Sequence, residues 1–186
     1  MDAAEALFLE KGFAAASVDE IVKAADVAKG TFYLHFKSKD EVLTALQTRF
    51  IETFCDKVQE AMDGRAPEDW HGRLDAWIGA TIRGYIDRVA LHDIVFHENR
   101  AVHRHMRHDN PVIAQLSALL EQGNANGAWS VDEPALTAVM FFHALHGAID
   151  DVIGDAMDGD GEADVDVKAL TALAKPFCRR ALGLNP

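Results

Sequence analysis

The chain is poor in covalent staples. Cysteine occurs twice in 186 residues, at Cys55 and Cys178, far apart and outside any C-x-x-C spacing. That excludes a disulfide framework or zinc ribbon and points to reduced thiols within helices. No run approaches the roughly 20 uninterrupted apolar residues that cross a bilayer. The N-terminus lacks the basic start and small-residue cleavage site of a signal peptide. No membrane association is expected, and the cytoplasm is the expected compartment. Excess positive charge is also missing. The net charge is -12, which by itself argues against nucleic acid, because affinity for DNA rests heavily on Lys and Arg neutralising phosphate.

The distribution of charge tells more than the total. The window from Lys29 to Lys39 contains Lys29, Lys37 and Lys39 and no acid, so a local basic face remains on an acidic protein. Hydrophobic residues make up 49% of the chain, enough for one compact body or a small domain fused to a larger one.

Helical periodicity runs throughout, with no β-alternating segment and no internal repeat. Ala4, Leu7, Phe8 and Lys11 share a helical spacing, with Gly12 where a C-cap would sit. Ser17-Val18-Asp19-Glu20 is a capping box that opens a second helix. After the break Asp26-Val27-Ala28, a third helix starts near Lys29. Two short helices joined by a tight turn make a helix-turn-helix. Ser38-Lys39-Asp40-Glu41 is a second capping box, ahead of a long helix with Val42, Leu43, Leu46, Phe50, Phe54 and Val58 on one stripe, ending near Gly64.

Further on, Trp70, Leu74, Trp77, Ile78, Thr81, Tyr85 and Ile86 stand in one helical register, followed by a shorter helix around Leu91 to His97. A polar segment runs from Asn99 to Asn110. Pro111 suits a first helical turn and leads to a stop at Asn124 to Gly127. Asp132 is placed to cap a helix running from Pro134 to about Ile153. Six acids and no base between Asp155 and Asp166 read as a solvated loop, and a last helix spans about Val165 to Leu182. The expected fold is all-α, with about nine helices.

The stretches Leu7-Phe8-Leu9-Glu10-Lys11-Gly12-Phe13, Ser17 to Ile21, Lys29 to Phe36 and Ser38 to Glu41 closely resemble the signature of TetR-family transcriptional regulators. The resemblance covers about 45 residues. It implies an N-terminal three-helix DNA-binding domain over residues 1–46 and a C-terminal helical domain over 47–186 that binds a ligand and dimerises. The implied function is a repressor released from a palindromic operator by a small effector, not an enzyme and with no required cofactor. Nothing in the chain resembles a nucleophile-base pair of defined spacing.

In a helix-turn-helix the second helix lies in the major groove with its N-terminal residues at base edges. Lys29, Gly30 and Thr31 are therefore the base-edge candidates, Gly30 letting the backbone approach DNA closely. The resemblance adds Tyr33 and His35 as phosphate or base contacts. Ser17 and Lys39 stand at helix N-termini suited to phosphate. The chain departs from the family at Asp26, where a Gly is usual, and at Ala28, which replaces a Ser or Thr cap. It also opens on Met1-Asp2-Ala3-Ala4-Glu5, without the basic extension usual in the family. Weaker DNA binding, or a start lying upstream, is the expectation.

Seven of the nine histidines fall between His92 and His146. Three readings stand side by side: buried hydrogen bonds that fix helix packing, an organic-effector pocket, and a metal site. The pocket would draw on Trp77, Tyr85, Phe96, His97, Phe142, His143 and His146. A divalent metal (zinc, nickel or iron) would take His97, His143, His146 and Asp150, the last three spaced i, i+3, i+7 on one helix. A metal-binding helical protein or metal-dependent enzyme built on the His92–His146 cluster is the alternative function. A homodimer through the last two helices follows from half-site reading and from the resemblance, with Ala135, Ala138, Phe142 and Leu170 as candidate contacts.

Overall fold

A computed structural model describes residues 1–97, 110–157 and 165–184; the side chains of residues 97 and 155–157 are outside the description. Among the described residues all regular structure is helical, in nine helices: α1 (Asp2–Ala15), α2 (Val18–Ala24), α3 (Lys29–His35), α4 (Lys39–Asp63), α5 (Trp70–Ile86), α6 (Val89–His97), α7 (Pro111–Ala125), α8 (Pro134–Met157) and α9 (Val167–Ala181). The all-α expectation holds. Two compact units are present: Met1–Thr53 with Arg88–His108, and Phe54–Asp87 with Asp109–Pro186. The single helix α4 contributes residues to both.

In the first unit, α1 packs on α2 and α6, and α2 on α3. Phe8, Ile21, Phe32, Leu43, Leu46 and Phe50 are buried at its centre. Gly12 bends α1 with φ 80°, and the helix resumes as far as Ala15. Gly12 thus breaks the helix where a C-cap was expected, but does not end it. Glu5 joins three helices: one carboxylate oxygen accepts from Arg49 of α4 at 2.6 Å and the other from Arg88 of α6 at 3.2 Å.

The second unit is built on α5, whose Leu74, Trp77, Ile78 and Ile82 are fully buried against α7, α8 and α9. Asp75 takes a two-point contact from Arg179, at 3.0 and 2.9 Å, which pins α9 to α5. Asn110 and Asp166 cap α7 and α9 through their side chains; neither cap was expected from sequence. Burial pushes the thiol of Cys55 up to about 11 and that of Cys178 up to about 12, and both are free cysteines. Desolvation disfavours the thiolate at both positions.

Several sequence expectations need correction. At the start of α4 Ser38 accepts from the Glu41 N–H at 3.2 Å, but the Glu41 carboxylate accepts from the backbone N–H of Lys37, one residue further back than a full capping box requires. Asp132 does not stand at the cap of α8: with Pro134 as the first helical residue, the Glu133 carbonyl accepts from Thr137. Ala138 is fully buried within the chain, so it belongs to the core rather than to a dimer face. The stretch Pro134–Gly154 is, by length and composition, long and apolar enough to cross a membrane, although no uninterrupted apolar run of that length exists. The polar segment from Asn99 and most of the acidic loop from Asp155, with His103, His105 and His108, lie outside the described residues.

Where α7 meets the following turn, Trp129 donates from Nε1 to the Leu120 carbonyl at 2.9 Å and lies against Gly123. A Cβ there would stand 2.0 Å from Trp129 Cζ2, and the anchored ring cannot swing aside. Gly123→Ala is therefore expected to destabilise the fold by about 1–3 kcal/mol, read as a lower urea midpoint with an unchanged slope.

Candidate nucleic-acid interface and sensor core

The helix-turn-helix segment is held from both sides. At its start, Ser17 Oγ accepts from the Glu20 N–H at 3.3 Å and the Glu20 carboxylate accepts from the Ser17 N–H at 2.9 Å, so the first capping box is complete. Lys11 donates to the same carboxylate. This contact comes first among the causes that hold Glu20 well below the usual carboxylate range, at about 2, followed by the bonds from Ser17. At the other end, the Lys39 ammonium donates to the carbonyls of Phe13 at 2.6 Å, Ala14 at 3.2 Å and Ala16 at 2.7 Å. It also sits over the Phe13 ring. Its charge therefore satisfies the C-terminus of α1 rather than facing solvent.

Between α2 and α3 the chain turns at Asp26, with φ 52°, a left-handed conformation that Asp tolerates. Ala28 stands at the N-cap of α3 and makes no side-chain cap bond, as its methyl group dictates. Phe32 is buried and its ring contacts Phe36 at 5.8 Å. That places the opposite face outward: Thr31 and His35 are exposed, Tyr33 is 52% and Leu34 82% accessible. A Cβ at Gly30 would meet nothing within 4 Å. Internal packing thus does not require glycine there, although glycine costs about 1 kcal/mol in a helix interior. Lys29, exposed at the start of α3, pairs with Asp19 of α2 at 2.6 Å.

The expected sensor residues divide between the two units. Phe96 belongs to the first, its ring 4.8 Å from His92 and 5.7 Å from Phe50. The His97 side chain lies outside the description. In the second unit, Tyr85 donates from its hydroxyl to Asp150 Oδ1 at 2.5 Å, and Asp150 Oδ2 stands 3.0 Å from His146 Nδ1. The His146 ring lies 4.8 Å from Tyr85 and 5.5 Å from Phe142. His143 is exposed. Among the described residues, no group of three or more His, Cys, Asp or Glu side chains is gathered so as to hold a metal ion.

Other polar atoms stand out, and of the residues that carry them only Trp77 was among the expected pocket residues. Trp77 Nε1, Thr81 Oγ1, Arg73 Nε and Gln115 Oε1 are buried and find no hydrogen-bond partner among the described residues. Each such atom costs about 1–3 kcal/mol when left unpaired. Thr81 was legible only as a hydroxyl inside an otherwise apolar register.

A family model for bacterial regulatory proteins of the tetR family matches residues 1–46. YfiR of Bacillus subtilis, an uncharacterized HTH-type transcriptional regulator, is 26% identical over 98% of this chain and 89% of its own length. Over residues 1–46 the chain matches the tetR family of regulators. It is thus a DNA-binding transcriptional regulator of a non-enzymatic family. YerO, a second uncharacterized regulator of Bacillus subtilis, is 33% identical over half of this chain, a match spanning only 32% of YerO. Among solved structures, the fatty acid degradation regulator FadR from Bacillus halodurans superposes with TM-score 0.69 at 26% identity, covering 97% of this chain and 91% of FadR. The likeness extends along the whole tetR-type chain, beyond the matched N-terminal segment.

Because Glu20 is held below the ordinary carboxylate range, it stabilises the fold above that range, and this contribution is lost as pH falls towards about 2. Lys11→Ala is expected to lower stability at neutral pH and to flatten its dependence across the acid limb. Urea unfolding of both proteins at stepped pH checks this; parallel curves for the two would refute it.

Proposed function

We propose that the protein is a repressor that acts as a homodimer, each copy laying α3 into the major groove of one half of a palindromic operator and releasing it when a small effector binds the second unit. The observation that carries this reading is the outward face of α3. Thr31, Tyr33 and His35 are exposed beside a Gly30 that internal packing does not require. Lys29, Gly30 and Thr31 read base edges, and Tyr33 and His35 meet phosphate or bases. Ser17 and the backbone at Lys39 face phosphates from helix N-termini; the Lys39 ammonium is committed to α1. Residues 1–46 form the reading domain, residues 47–186 sense and dimerise, and the cytoplasm is the place of action.

A second copy is the occupant that fits the last two helices. Leu136 and Met140 on α8 and Leu173 and Phe177 on α9 are large, apolar and more than half exposed, each pair one helical turn apart. Covering them in a four-helix bundle also accounts for the membrane-like apolarity of α8. Trp77, Tyr85, Phe142 and His146 of the second unit are the lining assigned to the effector, with His143 next to Phe142. Effector binding shifts the population toward a dimer whose recognition helices no longer match successive grooves. The continuous helix α4, shared by both units, carries the change.

Fluorescence anisotropy with genomic fragments at fixed salt tests the repressor reading. The full chain should bind its operator at least about a thousandfold more tightly than random DNA, and Thr31→Ala should weaken specific binding by about 1–3 kcal/mol. Affinity equal to that for random DNA would sink the reading. Sedimentation tests the dimer: Met140→Glu combined with Leu173→Glu should convert it to a folded monomer with unchanged helical content, and a dimer that survives both charges does not use this face.

A further inference from the structure

Four side chains on α5 stand four residues apart: Arg73, Trp77, Thr81 and Tyr85. That spacing places them in one row along the helix, about 18 Å from first to last at 1.5 Å per residue. The first three each carry a buried polar atom without a partner among the described residues, namely Arg73 Nε, Trp77 Nε1 and Thr81 Oγ1. Trp77 is fully buried and Thr81 only 6% exposed.

The chain supplies its own controls. Thr44 and Thr48, also helical, donate to the carbonyls four residues back at 3.0 and 3.1 Å, the usual outlet for a hydroxyl inside a helix. Thr81 makes no such bond. Trp129 donates to a backbone carbonyl at 2.9 Å, as a buried indole normally does; Trp77 does not. On α7, away from this row, the Gln115 amide is oriented by Nε2, which donates to the Cys55 carbonyl and to Gln59 Oε1, both at 3.1 Å. Its Oε1 is buried and, among the described residues, unmatched.

We infer that this row is the polar side of the effector site and that it takes an acyl oxygen, a carboxylate or a neutral acyl carbonyl, at the end of an apolar chain. The inference rests on the effector-sensing reading above and names the ligand class for that site. Arg73 Nε and Trp77 Nε1 can only donate, and Thr81 Oγ1 donates as readily as it accepts, so the row asks for acceptors. Leu74, Ile78 and Ile82 lie buried on the same helix and suit the hydrocarbon. A cation is the wrong partner. The nearby carboxylate of Asp150 is already met on one oxygen by Tyr85 and on the other by His146.

Three probes of matched chain length decide the matter: decanoate, decanamide and decyltrimethylammonium, titrated calorimetrically into the full chain and its variants. Decanoate or decanamide should bind and the cation should not. Thr81→Val should weaken acyl binding about five- to tenfold while leaving the melting temperature of the ligand-free protein unchanged or raised, since it removes an unsatisfied hydroxyl at constant shape. Trp77→Phe should weaken binding likewise. Arg73→Met separates the two sources: loss for decanoate alone marks a carboxylate site, equal loss for both a neutral acyl site. Failure of both acyl probes to bind, equal binding of the cation, or an affinity untouched by Thr81→Val overturns the inference. Anisotropy with operator DNA keeps the two readings apart. Acyl binding that leaves DNA affinity unchanged sinks effector release but not the site; DNA release by a compound that Thr81→Val does not weaken sinks the site but not the repressor.

Discussion

A helix that ends inside a small domain leaves carbonyl oxygens without partners, and in the first unit one ammonium group meets that need. Lys39 Nζ takes the carbonyls of Phe13, Ala14 and Ala16 and rests on the Phe13 ring, which in turn edges the buried Phe8 at 5.2 Å. Residues 16 and 39 are thereby held together. Everything between them is the reading segment: Ser17 caps α2 immediately after Ala16, and α4 begins at Lys39 itself. The helix-turn-helix is thus a closed excursion of the chain, anchored at both ends by the same charge. Phe32, buried from within that excursion, sets the rotation of α3, and the rotation sets which side chains face outward.

The second unit follows a different logic. Its helices are placed by apolar registers meeting around α5, with Asp75 fastening α9 through Arg179 and, at 3.8 Å, Lys175. Within that apolar setting some polar atoms are fully served and others are not. Tyr85, Asp150 and His146 satisfy one another, whereas Trp77, Thr81 and Gln115 each retain an atom unmatched among the described residues. Buried polar groups in folded proteins are normally paired. Two of these exceptions, at Trp77 and Thr81, stand four residues apart on α5.

Much of this was legible beforehand where the signal is local. The capping box at Ser17 and Glu20, the turn at Asp26, the missing cap at Ala28 and the inward pair Phe32 and Phe36 depend on residues within a few positions of one another, and each appears as local chemistry dictates. Expectations resting on groups far apart in sequence fared differently. Nothing near Lys39 in sequence announces that its ammonium meets carbonyls 23 to 26 residues away. Ala138 looked like a dimer contact because a small residue on an apolar helix carries no mark of which neighbour it meets.

By itself, then, the amino-acid sequence determined the helices, their order and the reading module, because periodicity, caps and turns are properties of short stretches. Tertiary structure alone decided which charges are free and which polar atoms lack partners. It joined Glu5 to Arg49 and Arg88, closed α1 with Lys39, paired Asp150 with Tyr85, and left Trp77 Nε1 and Thr81 Oγ1 unmatched among the described residues. The physical reason is that a hydrogen bond is settled by distances of about 3 Å between groups, and chain folding sets those distances for residues that sequence order keeps apart.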